Sequence, residues 1–368
     1  CTPGNDADGD RLDDCFETGT GVFVDATDTG TNPNDPDTDD DGLEDGDEVL
    51  GTTAGLDLPG LGVSPLRQDI LLEYDWFDDG LECAAHSHRP TAAAVNEVTA
   101  TFANAPVTNP DGSMGITLIH DYGQGGLLTG GNLIADPDGV LVGGVNDAEY
   151  MAHKLANFAA NRQGYFHYVL LPHRYNVNSG SSGQAELPGN DFIVSLYCFG
   201  SDHNVAHTIV HELGHNLTLR HGGSDNCNYK PNYNSVMNYL YQFPGVDMDC
   251  NGTPGIVPAC PSQFSFGDGA LDLSTGGRPD LDEMALDETL GVCGAPGLDW
   301  NINAVFPENP VAFDINSCDP FQAITCGGTQ TVLRDFDDWG NLSLLGVDDV
   351  DGVSPLPEII DCENPPPP

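Results

Sequence analysis

Basic residues are scarce in this chain, which carries 10 Lys plus Arg against 58 Asp plus Glu over 368 residues, for a formal net charge of −48. Nucleic acid and anionic membranes are therefore excluded as partners, because a polyanion gains nothing by approaching another polyanion. Long apolar runs are also missing. The longest, such as residues 192–199, have the length of a strand, whereas a membrane helix needs about 18 to 20 apolar residues. We therefore expect a soluble protein without a membrane span.

Glutamate is scarce relative to aspartate, with 14 Glu against 44 Asp, beside 45 Gly and 27 Pro. Short carboxylates in tight turns are typical of loops that bind divalent cations. Apolar residues make up 39% of the chain, which is below the usual globular share. Over this length they still suffice for one good-sized core and a smaller appendage.

The chain has eleven cysteines, which is typical of an exported protein rather than a reduced cytosolic one. We therefore expect disulfides, a secreted and extracellular location, and one thiol left over from the odd count. Proximity in sequence predicts the pairs Cys1–Cys15, Cys250–Cys260 and Cys318–Cys326, with Cys227 and Cys293 near enough to compete. A lipid anchor on Cys1 is the alternative to its disulfide. The absence of an initiator Met and the final proline run indicate a processed piece of a longer precursor.

The first 50 residues hold 17 acids and a single base, Arg11, and therefore account for −16 of the net charge. Two segments share one template, in which carboxylates recur at steps of two, then four, then three. The first set is Asp6, Asp8, Asp10, Asp14 and Glu17, and the second is Asp37, Asp39, Asp41, Asp45 and Glu48. Alternate positions of a tight turn can direct oxygens at one Ca²⁺, which takes six to eight of them.

This template resembles the thrombospondin type 3 family of calcium repeats, and residues 1–55 are interpreted as such a module. The resemblance implies two or more structural Ca²⁺ ions and almost no core in the module without them. An acidic solvated linker is the alternative, but it does not explain a spacing that occurs twice.

Strand and helix patterns alternate from residue 68 onward. Apolar, β-branched runs predict strands at 68–76, 115–120, 165–171 and 191–197, and helical spacing predicts helices at 90–102 and 147–161, the second with Asp147 as N-cap. Such alternation predicts an α/β (α+β) fold with a mostly parallel sheet backed by helices. The Ser/Gly-rich stretch 175–190 suits an edge strand or a mobile rim. Beyond Asp247 we expect loops with a few helical turns, such as 281–290.

The segment 207–223 contains a metal-binding pattern. His211 and His215 are four residues apart on a predicted helix, so their imidazoles project from one face and can share a tetrahedral Zn²⁺. Glu212 follows the first histidine and can reach a water on the metal without binding the metal itself. His221 lies six residues beyond His215, far enough for the chain to leave the helix and supply a third nitrogen.

This pattern resembles the long zinc signature of the metzincin metallopeptidases, closest to the pappalysin-like secreted bacterial enzymes. Met237, within 235–239, matches the Met-turn of that family and would form a hydrophobic floor beneath the metal, while Tyr239 would reach the zinc and swing away when substrate binds. One position departs from the signature: Thr218 stands where the family has glycine. A β-branched residue disfavours positive φ, so either the turn differs or Thr218 is strained.

The resemblance implies a catalytic domain over 65–368, with an upper subdomain at about 65–222 and a loop-rich, disulfide-stapled lower subdomain at about 223–364. It also implies a twisted, mostly parallel sheet with backing and active-site helices. The segment 184–195 would supply an upper-rim strand against which an extended peptide pairs.

Metal binding is not needed to explain four other residues, His86, His88, His207 and Cys83. His86 and His88 could bind a metal, but we interpret them as surface or hydrogen-bonded groups. His207 is interpreted as a residue that supports the metal ligands or packs in the core, rather than as a fourth ligand. Cys83 could place a thiolate on zinc, but a disulfide is the preferred interpretation.

These patterns together predict a secreted zinc endopeptidase acting on polypeptides, with Glu212 as general base. The alternative is a catalytically inactive, calcium-stiffened surface or assembly module on a protease-like fold.

Overall fold

The computed structural model describes residues 4–136, 138–198, 200–250, 253–254, 264–265, 267–344 and 358–362. They form two compact units. The first contains the residues up to Val205 together with the strand at 358–362, and the second contains Ala206–Leu342. The acid-rich N-terminal segment thus belongs to the unit that contains the central sheet.

Six α-helices are described, of which α3, α4 and α5 have ten or more residues and the others have six or fewer. They are α1 (Asp45–Leu50), α2 (Leu58–Leu61), α3 (Ala92–Ala103), α4 (Ala148–Asn157), α5 (Asp202–Asn216) and α6 (Gln322–Thr325). The strands are β1 (Asp69–Trp76), β2 (Asp78–Asp79), β3 (His86–Ser87), β4 (Thr117–Asp121), β5 (Phe166–Leu171), β6 (Gly183–Leu187), β7 (Asp191–Val194), β8 (Thr253–Pro254), β9 (Phe264–Ser265), β10 (Leu281–Asp282), β11 (Val332–Leu333) and β12 (Glu358–Cys362). None of these helices is long and apolar enough to cross a membrane.

The first unit is built on a six-stranded sheet in the order β12-β6-β7-β5-β1-β4. The pairs β1–β4, β1–β5 and β5–β7 are parallel, which confirms the mostly parallel sheet. Every residue of β1 and β5 is buried, as expected for parallel strands covered on both faces. All four strands predicted from the apolar runs are present.

Both predicted helices of the first unit are also present. The hydroxyl of Thr91 caps α3 by accepting a hydrogen bond from the backbone N–H of Ala94. Asp147 occupies the N-cap position of α4, as predicted, but its carboxylate accepts from the N–H of Gly144 instead. The helical turns predicted at 281–290 are wrong: β10 forms there and pairs antiparallel with β11, because a partner strand distant in sequence satisfies its backbone groups.

The predicted edge strand within 175–190 is present as β6, but its outer edge is not open. The chain's own strand β12 pairs antiparallel along it, from Glu358 opposite Leu187 to Cys362 opposite Gly183. The edge that the sequence assigns to an extended peptide substrate is therefore already paired within this chain.

Three disulfides join described cysteines: Cys83–Cys198 in the first unit, and Cys227–Cys326 and Cys250–Cys293 in the second. The preferred interpretation of Cys83 is thus confirmed. The predicted pairs Cys250–Cys260 and Cys318–Cys326 are wrong, because the fold brings together cysteines 43 and 99 residues apart. The predicted Cys1–Cys15 pair involves Cys1, which lies outside the described residues. Cys362 is buried.

Candidate metal centres

Helix α5 carries two of the three histidines predicted as zinc ligands. Its apolar residues Val205, Ile209 and Leu213, at intervals of four along the helix, are buried, so this stripe anchors the helix. His211 and His215 are themselves fully buried on the same helix. Burial of both imidazoles on a packed helix fixes their directions.

The end of α5 is a Schellman motif, in which the chain reverses through a left-handed residue. The N–H of Thr218 donates to the carbonyl of His215 at 3.0 Å, and the N–H of Leu219 donates to that of Gly214 at 2.8 Å. Thr218 is the left-handed residue, with φ of 86°. The turn thus keeps the conformation that glycine adopts easily, and a β-branched residue carries the strain.

Backbone carbonyls set the orientation of the two helical imidazoles. Nδ1 of His211 lies 2.8 Å from the carbonyl oxygen of Val236, and Nδ1 of His215 lies 2.7 Å from that of Leu219. A carbonyl only accepts, so each Nδ1 carries the proton and each Nε2 keeps a lone pair. Nε2 of His211 is buried and makes no hydrogen bond, which is the state expected of a metal ligand.

His221 completes the cluster after the turn. The ring centroids of His211 and His215 are 4.8 Å apart, and those of His221 lie 4.8 Å from His215 and 5.3 Å from His211. One ligand atom from each of these histidines lies within 4.8 Å of the others. The structure thus brings together the three residues that the spacing predicted.

All three imidazoles are neutral at neutral pH. Burial lowers the pKa of His211 to about 4, and burial together with the neighbouring imidazoles lowers the pKa of His215 and His221 well below the usual range. Neutral imidazole is the form that binds a metal. Three converging neutral nitrogens are a donor set that suits Zn²⁺.

The segment 235–239 packs directly against the helix. Met237 is fully buried, and a Cβ atom placed on Gly214 would lie only 2.3 Å from its sulfur. Gly214 therefore permits the close approach of Met237, a contact that the sequence analysis did not identify. The ring of Tyr239 lies 4.4 Å from that of His221.

Glu212 and His207 are two further buried polar residues of helix α5. Glu212 is buried and follows His211 directly in the helix. His207 is also buried, and its Nδ1 lies 2.5 Å from the carbonyl oxygen of Gln242, in agreement with a packing role.

The two N-terminal carboxylate loops have the same local structure, offset by 31 residues. The N–H of Leu12 donates to Asp10 and that of Leu43 donates to Asp41, both at 2.8 Å. Asp14 and Asp45 likewise accept from the equivalent N–H groups of residues 7 and 38. The positive φ values at Arg11 (83°) and Gly42 (90°) repeat as well.

Buried carboxylate oxygens without hydrogen-bond partners line both loops. In the first they belong to Asp8, Asp10 and Glu17, and in the second to Asp39, Glu48 and Asp69. Uncompensated buried charge is costly, and a hard cation with oxygen ligands compensates it. Asp69, at the start of β1, was not predicted as a ligand because it lies 21 residues beyond Glu48, outside the repeat.

These carboxylates are unusually hard to ionise in the absence of a cation. Burial and neighbouring carboxylates raise the pKa of Glu17 to about 8, and burial raises the pKa of Asp45 and Asp69 to about 7. The pKa values of Asp41 and Glu48 also lie well above the usual range for the same reasons. The loops thus favour either protons or a bound cation.

No family model matches the sequence, and no curated protein matches it. Among solved structures, the chain is similar to archaemetzincin from Methanopyrus kandleri, with a TM-score of 0.27 and 16% identity over 47% of this chain and 81% of that chain. A similarity of this size shows neither a shared family nor a shared activity.

Proposed function

We propose that this chain is a secreted zinc endopeptidase whose N-terminal loops bind calcium. The observation that carries the proposal is the convergence of His211, His215 and His221, with Nδ1 of two of them held by carbonyls and Nε2 of His211 left without a hydrogen bond. Three neutral imidazoles form the donor set of a hydrolytic zinc site, and Glu212, on the helix that carries His211 and His215, is its base.

His211, His215 and His221 would hold the zinc, which when bound polarises a scissile carbonyl and lowers the pKa of water. Glu212 takes the proton of the attacking water and later delivers it to the leaving amine. The hydroxyl of Tyr239 donates a hydrogen bond to the developing oxyanion. Met237 and the carbonyl of Val236 keep the helix and the ring of His211 in place.

Calcium has a structural role in this proposal. Asp6, Asp8, Asp10, Asp14 and Glu17 surround one ion, and Asp37, Asp39, Asp41, Asp45 and Glu48 surround another, with Asp69 as an added ligand of the second. The unpaired carboxylate oxygens in both loops support it. The disulfides are compatible with the proposed extracellular location.

An inactive, calcium-stiffened module was the alternative raised by the sequence, in part because Thr218 departs from the metzincin signature. Thr218 adopts the left-handed conformation, so this departure does not prevent the chain from returning His221 to the cluster. The active enzyme is therefore the better-supported function.

The test compares Glu212→Gln with His207→Gln, a change at another buried residue of α5. Glu212→Gln should keep its zinc and lose cleavage of denatured casein by about 10²-fold to 10⁴-fold, since general base catalysis contributes that much. His207→Gln should keep its zinc and most of its activity. Zinc content is measured by elemental analysis and cleavage by peptide release. Full activity of Glu212→Gln, or a wild-type protein that binds zinc without cleaving any peptide, would contradict the proposal.

A further inference from the structure

Three histidines and one aspartate meet beyond the ends of β1 and β5, apart from the residues assigned above. Asp79 and His86 are directly opposite each other in the β2–β3 hairpin. His88 follows β3, and its N–H donates to the carbonyl of Phe77 at 3.0 Å. His173 lies two residues after the end of β5. The register of the hairpin and the position of His173 both follow from the backbone.

Covalent and backbone links hold these segments together. The N–H of Tyr197 donates to the carbonyl of His173 at 3.2 Å. The disulfide Cys83–Cys198 joins the loop of the β2–β3 hairpin to the chain next to Tyr197. The cluster therefore lies on a cross-linked scaffold within one compact unit.

The distances within the cluster suit ligands that share one ion. Asp79 Oδ2 lies 2.6 Å from His88 Nε2, and Asp79 Oδ1 lies 3.4 Å from His173 Nδ1 and 4.0 Å from His86 Nδ1. One ligand atom from each of the four residues lies within 4.8 Å of the others. Ligands of a tetrahedral Zn²⁺ at about 2.0–2.2 Å are separated by about 3.3–3.6 Å. Metal binding would therefore open the Asp79–His88 contact and shorten the Asp79–His86 distance, each by less than about 1 Å.

His173 is the member that an ordinary hydrogen-bonding interpretation does not explain. It is fully buried, and neither of its ring nitrogens makes a hydrogen bond, although Nδ1 faces Asp79 and Nε2 lies 3.8 Å from Glu82 Oε2. A buried polar group left in this state is costly. A metal ion facing Asp79 would satisfy one nitrogen of His173 and neutralise the carboxylate at the same time.

The other two imidazoles can also offer lone pairs. Nδ1 of His86 is 3.0 Å from the carbonyl oxygen of Ala84, and its Nε2 is 3.3 Å from that of Tyr197. A neutral imidazole has one N–H, so one of these nitrogens keeps a lone pair. His88 is buried and hydrogen-bonded through Nε2 to Asp79, and its neutral imidazole, like that of His86, keeps one lone pair.

We infer that Asp79, His86, His88 and His173 form a second zinc site, with a structural role. Three imidazoles and one carboxylate favour zinc over calcium or magnesium, which prefer oxygen ligands. Four protein ligands fill a tetrahedral ion and leave no position for a reacting water. The site would fasten the β2–β3 hairpin to the segment after β5.

The experiment counts zinc per full-length chain by elemental analysis, in calcium-containing buffer, after weakly bound metal has been removed. The wild type should contain two zinc ions. His211→Gln/His215→Gln should retain one, and adding His88→Gln/His173→Gln should remove it. The inference does not depend on the proposed peptidase site. If the wild type contains one zinc ion and only His88→Gln/His173→Gln loses it, the zinc site at His211 and His215 is refuted and the second site stands.

His120→Gln is the matched control, since His120 is another buried histidine of the same unit. Its Nδ1 is hydrogen-bonded to the hydroxyl of Tyr74. This control should leave the zinc count unchanged. An equal zinc count in the wild type and in folded His88→Gln/His173→Gln would overturn the inference. If that variant does not fold, X-ray absorption of the His211→Gln/His215→Gln protein decides: three imidazoles and one carboxylate support the site, and absent zinc or another ligand set overturns it.

Discussion

The carboxylate loops at the N-terminus and the histidine cluster on α5 prepare their ligands in opposite ways. In the loops, buried acids would have to be charged to bind a cation, and their pKa values are raised. In the cluster, buried imidazoles are neutral, which is already the binding form, and carbonyls hold their rings. The acids of the loops therefore need either protons or a bound cation to offset their burial, whereas the imidazoles of the cluster need no proton to be lost before a metal binds.

Removing calcium should have the largest effect on stability. Each ion at a thousandfold excess over its Kd contributes about 4 kcal/mol, so loss of two ions at neutral pH should lower the melting temperature of the first unit by roughly 15 °C or more. Differential scanning fluorimetry with and without millimolar calcium, with zinc present throughout, measures this. Glu48→Gln should reduce the calcium-dependent shift, whereas Asp25→Asn, at an exposed Asp outside both loops, should not. An unchanged melting temperature would remove the contrast between the two regions.

The pH dependence of stability should have opposite signs in the two regions. Without calcium, acids with folded pKa values of about 7 to 8 and unfolded values of 3.8 to 4.5 bind more protons in the folded state. Stability of the loops should therefore fall as pH rises from about 4 to 8.

His211 has a folded pKa of about 4 against an ordinary value of 6.5, so the unfolded state binds more protons between these values. Stability of metal-free α5 should therefore rise with pH from about 4 to 6.5. Hydrogen exchange of peptides from residues 4–50 and 206–216, corrected for intrinsic rates, separates the two slopes. If stability changes with pH in the same direction in both regions, burial does not control the pKa values of these groups.

The smallest expected effect tests the strained turn that follows α5. Thr218→Gly should stabilise the second unit by about 1 kcal/mol, because strain of about 1–3 kcal/mol is relieved and part of that gain is offset by the entropy of glycine in the unfolded chain. Urea denaturation of both proteins provides the measurement. Thr101→Gly, within helix α3, is the control and should destabilise. A less stable Thr218→Gly protein would mean that the threonine hydroxyl, 3.4 Å from the carbonyl oxygen of Asn341, outweighs the strain.

Local spacing predicted much of the two sites. The step of four between His211 and His215 and the repeated steps among the acids determine which side chains share a face or a turn, because helix and turn geometry relate residues a few positions apart. Four strands and two helices of the first unit followed from apolar periodicity for the same reason.

Contacts between residues distant in sequence could not be predicted in this way. Asp69 faces the second loop from the start of β1, Val236 orients His211, and Cys227 bonds to Cys326, 99 residues away. Helix, strand or turn geometry does not bring together residues that are so far apart in the sequence. The prediction of helical turns at 281–290 was wrong for the same reason, because pairing with β11 is a long-range contact.

The sequence by itself determined the chemistry available to this protein: acids at turn spacing that suit a hard cation, and histidines at helix spacing that suit zinc. Only the tertiary structure decided which side chains are buried, which carbonyls orient the rings, that β12 covers the edge of β6, and that His173 joins His86 and His88 around Asp79. The physical reason is that side-chain identity and local spacing are properties of a short segment, whereas burial and convergence depend on how distant segments pack.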